Sequence, residues 1–431
     1  MNKNNALHRW LWHWHMLAGL ITLPIILLLC ITGILYLFKD DYNHYVYQDI
    51  VEVASIKESI VNKDKAPIKP ISYNEQLKAV QTYTNKAIDK VVLPNTPEQT
   101  TAFILASKGH AKTTVYVNPY TAEVTGEINR KDTAMYLIRK LHGELLLDKP
   151  GTYLIELVAS WFIVLLMTGL YIFWPDKTQG LSSFLRIQTK QGKRKFYRDL
   201  HSVSGFWLSL FMVIIIAGGM PWTDIFGSNL KWLQKQTDTG YPKYWRQTKG
   251  LNSVIDGNPL TIDQLVRKTQ EYNLAGTITI SLANNKQAVT SISNHSLWLS
   301  DQQVIHLDQY SGDIIKKYTW NDVGILMDIR QVAMRLHQGQ YGTVTWWTIL
   351  FIVTLFTLST FAGLISYVYR KPLGQWGTIR VPKRFVLGRG VLLLILGLAL
   401  LFPLFGTSLI VLSLLKTARN TFSAKEVKTI Q

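Results

Sequence analysis

Residues 15–38 read HMLAGLITLPIILLLCITGILYLF: one histidine, then 23 residues without a charge. As a helix at about 1.5 Å per residue, such a run crosses a hydrocarbon core of roughly 30 Å. Four further apolar runs follow at 152–174, 203–223, 343–369 and 391–415. The expected fold class is therefore a membrane α-helical bundle of about five transmembrane helices. Pro403 lies midway along the last run, which reads either as a kinked span or as a re-entrant segment. No small-residue cleavage site follows Tyr36-Leu37-Phe38, so the first run reads as an uncleaved anchor.

The first and third runs share a pattern. His15, Gly19 and Gly33 recur as His201, Gly205 and Gly219, with the same spacings of four and fourteen residues. Eighteen residues make five helical turns, so each histidine shares a side with its glycines, and a helix or a flat macrocycle can approach such a stripe closely. Leu141-His142 and Leu336-His337 precede the second and fourth runs. One histidine of this kind reads as helix packing; four in a repeated arrangement read as a functional site, because imidazole is costly in lipid without a partner.

The formal charge is +18, but the basic residues flank the apolar runs, which excludes a nucleic-acid module. Lys177, Arg186, Lys190, Lys193, Arg194, Lys195 and Arg198 crowd one loop, and Arg370, Lys371, Arg380, Lys383, Arg384 and Arg389 another. The positive-inside rule places both in the cytoplasm together with the N-terminus. The expected layout is a cytoplasmic N-terminus with the first span (1–39), an external domain (40–150), a span (151–175), a basic loop (176–200), a span (201–224), a second external domain (225–340), a span (341–370), a basic loop (371–390), the ambiguous segment (391–416) and a tail (417–431). In a bacterium this is a multi-pass inner-membrane protein whose external domains lie in the periplasm.

Both external segments read as small α+β units. The first offers a helix over 72–90, strands at 101–105, 113–117 and 123–128, and a turn at Asn118-Pro119-Tyr120; the second a helix over 261–272, strands at 277–281, 288–292 and 303–308, and a turn at Tyr310-Ser311-Gly312.

On this topology His15 and His201 share the cytoplasmic side, His142 and His337 the external side. Neutral imidazole is a good iron ligand, and bundles house cofactors between facing helices, so two bis-histidine b-type haems account for all four. Cys30 is the only cysteine, which excludes covalent haem attachment, an all-cysteine cluster and an internal disulfide. Zinc and copper are disfavoured for want of cysteine and carboxylate partners. Arg139, Arg198 and Arg335 stand two or three residues before His142, His201 and His337, where haem propionates need cations. His44 is the rival external ligand, and His13 points about 200° away from His15 and is a lesser alternate. Glu156 reads as a proton-relay group or the partner of an interior cation. His110, His295 and His306 read as structural or solvent-facing.

His13-Trp14-His15-Met16-Leu17-Ala18-Gly19, Leu141-His142-Gly143-Glu144 with Pro150-Gly151 and Glu156, Leu200-His201-Ser202-Val203-Ser204-Gly205 with Gly219-Met220-Pro221-Trp222, and Leu401-Phe402-Pro403 follow one another in an order that resembles PepSY-associated transmembrane proteins. The iron-regulated membrane proteins of PiuB type, similar also to periplasmic siderophore-iron reductases, are the subset it resembles. The strand, Asn-Pro-Tyr-Thr and strand around Gly126 looks like a PepSY hairpin, and Leu307 to Gly312 like a degenerate second copy, so the external domains are expected to be PepSY-like. The resemblance implies an oxidoreductase of iron acquisition that moves electrons across the membrane to reduce a ferric siderophore. His337-Gln338-Gly339-Gln340 departs from the pattern, in which an acidic residue commonly follows the histidine. No dinucleotide fingerprint follows a strand, so electrons must come from membrane quinol or a cytoplasmic reductase. The other readings are a non-enzymatic binding or regulatory protein and a permease-like siderophore or iron carrier; few intramembrane charges besides Glu156 speak against the carrier.

Overall fold

The computed structural model describes residues 3–53, 69–107, 112–174, 181–375, 377 and 387–429. Lys177, Arg380, Lys383, Arg384 and His110 fall outside these residues. The order of elements is α1 (Lys3–Leu37), α2 (Lys39–Val51), α3 (Tyr73–Tyr83), β1 (Ile88–Val92), β2 (Thr101–Leu105), β3 (Thr113–Val117), β4 (Val124–Asn129), α4 (Ala134–Glu144), α5 (Lys149–Phe173), α6 (Lys193–Gly219), α7 (Ile225–Gln236), α8 (Ile262–Glu271), β5 (Thr277–Ser281), β6 (Thr290–His295), β7 (Gln303–Leu307), β8 (Ile314–Thr319), α9 (Ile325–His337), α10 (Thr343–Arg370), α11 (Arg389–Leu401) and α12 (Pro403–Thr429). They form two compact units: Met1–Leu35, Lys140–Leu233 and Ala333–Gln431 in one, Tyr36–Arg139 and Gln234–Val332 in the other.

In the first unit, four helices among the described residues are long and apolar enough to cross a membrane: Ala6–Leu37, Lys149–Phe173, Lys193–Trp222 and Thr343–Arg370. Their shared core is built from Ile26 and Cys30 of α1, Val158 and Leu165 of α5, Met212 of α6 and Phe356 of α10. The fifth expected run is not continuous. Phe402, at φ −118° and ψ 88°, closes α11, and Pro403 opens α12, where a missing N–H costs nothing. Thirteen residues give α11 about 20 Å, too short to span. The bend is tight, since a Cβ on Gly406 would stand 2.8 Å from the Ala399 carbonyl oxygen. Phe402 and Phe405 of this broken segment join the same core.

The second unit holds one antiparallel sheet in the order β4-β3-β2-β1-β5-β6-β7-β8. The two external segments expected as separate α+β domains are its halves. They join where β1 pairs with β5, Lys90 opposite Ser281, Val91 opposite Ile280 and Val92 opposite Thr279. One face is dry: Val91, Phe103, Val115, Ile280, Ile292 and Ile305 are fully buried beneath Val80 of α3 and Leu265 of α8. Period-2 alternation sends the intervening residues to the other face.

The helix expected over 72–90 ends at Tyr83, capped at its start by the Ser72 hydroxyl, which accepts from the Glu75 N–H. Its supposed last turns are β1, drawn into the sheet by neighbours on both sides. β8 had no counterpart in the reading of the sequence; it pairs along β7 from Gln303 opposite Thr319 to Leu307 opposite Ile314. The two hairpin turns correspond. Asn118 accepts the Tyr120 N–H at 2.9 Å, and Asp308 accepts those of Tyr310 at 2.8 Å, Ser311 at 3.1 Å and Val254 at 2.6 Å.

Burial of Asp308 opposes its charge, but the three N–H donors prevail and hold its carboxyl below the usual carboxylate range. A depressed folded pKa contributes stability that is full above the unfolded value near 3.9 and lost as pH falls through the folded value. Asp308→Asn keeps one acceptor oxygen and has no titrating group. Acid titration of thermal stability should therefore be flatter below pH 4 in this variant than in the parent, and an unchanged slope would count against the assignment.

Candidate functional site

Four histidines gather in the membrane unit as two pairs. The His15 and His201 rings stand 6.5 Å apart between centroids, and those of His142 and His337 stand 6.1 Å apart. The first pair is carried on α1 and α6, the second on the C-terminal ends of the short helices α4 and α9. His142 and His337 thus precede their spans on separate amphipathic helices, which explains why their offsets from the apolar runs differ. Along α1, His15 and Gly33 are eighteen residues apart, about 27 Å.

Each ring is fixed through Nδ1. His201 Nδ1 donates to the Ser359 carbonyl at 2.9 Å, and His337 Nδ1 to the Ile215 carbonyl at 2.7 Å. His15 Nδ1 meets the Thr168 hydroxyl at 2.9 Å, and that hydroxyl gives its single proton to the Val164 carbonyl at 2.8 Å. His142 Nδ1 meets the Thr32 hydroxyl at 2.9 Å, which donates to the Leu28 carbonyl at 2.7 Å. With each threonine hydroxyl assigned as donor to the carbonyl of its own helix, it is left to accept, and on that assignment all four rings carry the proton on Nδ1 and the lone pair on Nε2. An imidazole N–H buried without an acceptor costs about 1–3 kcal/mol, which these four bonds avoid.

A glycine lies against every ring. A Cβ on Gly169 would reach His15 Cε1 at 3.1 Å, on Gly363 His201 Nδ1 at 3.0 Å, on Gly33 His142 Cε1 at 3.4 Å, and on Gly219 His337 Cε1 at 3.3 Å. Gly33 and Gly219, expected to serve the histidines of their own helices, therefore serve the other pair. Gly19 and Gly205 lie one turn from His15 and His201. A Cβ on Gly205 would meet nothing within 4 Å, and one on Gly19 only Leu165 Cδ2 at 3.9 Å.

The candidate cations take separate places. Arg198 binds Asp199, with Nε at 2.9 Å from Oδ1. Arg335 is buried, 6.0 Å from the centre of the Tyr341 ring. Arg139 belongs to the other unit, over Tyr136 at 5.0 Å. His44 also belongs to that unit, where its Nδ1 lies 3.5 Å from Glu52 Oε1. His13 turns its ring edge-on to Trp14 at 6.0 Å. His306 is buried and structural, bonded to Ser291 Oγ at 2.8 Å and the Tyr244 carbonyl at 2.7 Å. Arg370, overlooked in the sequence as a positioned group, packs over Trp12 at 4.5 Å and bonds the Gly377 carbonyl at 2.9 Å. Among the described residues no three His, Cys, Asp or Glu side chains cluster as metal ligands.

Among the described residues Glu156 bonds neither a histidine nor a cation. Its two carboxylate oxygens accept the N–H groups of Ile225 and Phe226, each at 2.9 Å, where α7 begins. A carboxylate suits the positive end of a helix dipole and satisfies donors the helix itself cannot. With 1 % exposure it caps α7 from within the bundle.

Four helices long and apolar enough to cross a membrane make this a multi-pass membrane protein. The family profile described as PepSY-associated TM region matches residues 12–370, and the chain belongs to that family. A search of the curated proteins returns no match.

Glu156→Gln offers one acceptor and one donor where two donors wait. Hydrogen exchange at the Ile225 and Phe226 amides should accelerate, and stability should fall by about 1–2 kcal/mol; unaltered exchange would deny the cap.

Proposed function

We propose that the protein is a transmembrane b-type haem electron conduit, with His15 and His201 ligating one haem and His142 and His337 the other. The observation that carries this reading is the pairing of four rings, each with Nδ1 committed and Nε2 bearing a lone pair. With metal–imidazole bonds of about 2 Å, two rings sharing one iron would stand roughly 6 Å apart between centroids. The separations of 6.5 and 6.1 Å fit, two nitrogens per centre suffice for haem but not for zinc, and the open flank of Gly205 leaves room for a macrocycle. When bound, haem supplies at each pair a one-electron Fe(III)/Fe(II) couple.

The chain's own residues do the rest. Thr168, Thr32 and the Ser359 and Ile215 carbonyls hold ring orientation and raise ligand basicity, as outer-shell acceptors do at metal sites. The glycines let the rings approach neighbouring backbones closely. Arg198 and Arg335 belong to the membrane unit, three and two residues before His201 and His337, and suit propionates. His44, held beside Glu52, is less suited than His337 to pair with His142.

The substrate we favour is a ferric siderophore on the periplasmic side of the inner membrane. One electron from quinol or a cytoplasmic reductase converts each Fe(III) to Fe(II), and hard oxygen donors then hold the metal less tightly. This makes the protein an oxidoreductase of iron acquisition with a cytoplasmic N-terminus.

Protein purified in detergent after haem-replete expression should show a Soret band that sharpens with dithionite, and about two irons per chain. His15→Ala and His337→Ala should each remove about half of the haem, whereas His44→Ala should remove none. A colourless protein would end this reading.

A further inference from the structure

The eight-stranded sheet presents the same face twice and treats the two halves differently. Opposite the dry core, the second half shows Val304 and His306, and this patch is sealed: Val304 packs with Trp245, Leu299 and Trp320, all nine-tenths buried or more, and the Tyr244 carbonyl bonds His306. The corresponding face of the first half carries Ala102, Ile104, Thr114 and Tyr116, and these line a cavity of about 380 Å³. That volume lies in the range of small-molecule sites, about 300–1,000 Å³.

One wall of the cavity is built deliberately. Beyond α2 the chain runs beside residues 98–100, with the Thr100 N–H on the Val51 carbonyl at 3.0 Å and the Val53 N–H on the Glu98 carbonyl at 2.8 Å. This ladder brings Glu52 to the rim. Its side chain is 17 % exposed, and it is the only carboxylate among the described lining residues. His44, more than half exposed, stands 3.5 Å away and, with Tyr116, completes the titratable groups among the described lining residues. Asn95 closes the far side, its amide donating to Thr277 Oγ1 at 2.7 Å across the β1–β5 seam. Among its described lining residues the recess therefore combines an apolar sheet face with hydroxyls and one shielded carboxylate.

We propose that this recess is a binding site for a small organic cation, an amine with an apolar body. The ammonium would stand at Glu52 and the body on Ala102, Ile104 and Tyr116. Partial shielding from water strengthens a charge-assisted hydrogen bond at Glu52, and the apolar floor selects against a fully hydrated inorganic cation. The site is independent of the haem reading, since it uses none of the paired histidines.

The test uses full-length protein in detergent and dansylcadaverine, a primary ammonium on a five-carbon chain with a fluorescent reporter. Saturable, blue-shifted enhancement is expected, displaced by hexylamine and not by hexanoate. Glu52→Gln should weaken binding at least tenfold. Ala102→Phe, which fills the floor as the second half is filled, should abolish the saturable component, and Thr114→Phe should do so independently should the first variant lose its thermal transition. Absence of saturable binding, survival of binding in the filled variants, or equal displacement by hexanoate would each overturn the proposal.

Discussion

An imidazole inside a bilayer must hand its N–H to an acceptor that is itself satisfied, and in a helical bundle the available acceptors are backbone carbonyls, which already serve the helices. A carbonyl oxygen has two lone pairs, so it can accept a second bond. Ser359 and Ile215 do this directly; Thr168 and Thr32 do it by relay, spending their own proton on the preceding turn and turning an oxygen outward. Every other property of the site depends on that arrangement. It sets the tautomer, leaves the Nε2 lone pair uncommitted, and requires the neighbouring helix to come close enough for a carbonyl or threonine to reach, where a glycine at the contact gives the ring room.

The chain builds this unit twice. In each repeat the spanning helix contributes one histidine near one end and, eighteen residues on, the glycine that receives a histidine of the other pair. The ring–glycine contacts stay within a repeat, His15 with Gly169 and His201 with Gly363, whereas the ring–ring pairs join one repeat to the other. Each repeat thus supplies half of both sites and the whole of neither. Glu156 and the helix it caps break the symmetry, as does the sealed face around Trp245.

Much of this was legible in the sequence. Four of the apolar runs have the length of membrane-crossing helices, the strands at 101–105, 113–117 and 277–281 fall where alternation puts them, and the 186-residue offset between the two histidine–glycine triplets announces the repeat. Pro403 marked the break in the last segment. The parts that stayed hidden depend on backbone. Glu156 is bonded to two N–H groups some seventy residues away, and a main-chain donor leaves no trace in a sequence. β1, with Asp89 and Lys90 in its middle, has a weak intrinsic preference for strand and exists because β2 and β5 flank it. Thr168-Gly169 and Ala362-Gly363 were readable as small-residue contacts in spanning helices, but nothing local told which histidine each would meet.

The seam between β1 and β5 sets a schedule for synthesis. Val92 and Thr277 are separated by 185 residues, which at about 5–20 residues per second is roughly 10–40 s of elongation, with two membrane insertions in between. Throughout that interval β1 is an open edge carrying a row of unpaired amides, the form in which sheets recruit stray strands. Its two adjacent charges, Asp89 and Lys90, which make it a poor strand by propensity, are well placed to keep that edge solvated until the second half of the sheet arrives. The residues that obscure the strand are therefore the ones suited to guarding it while it waits.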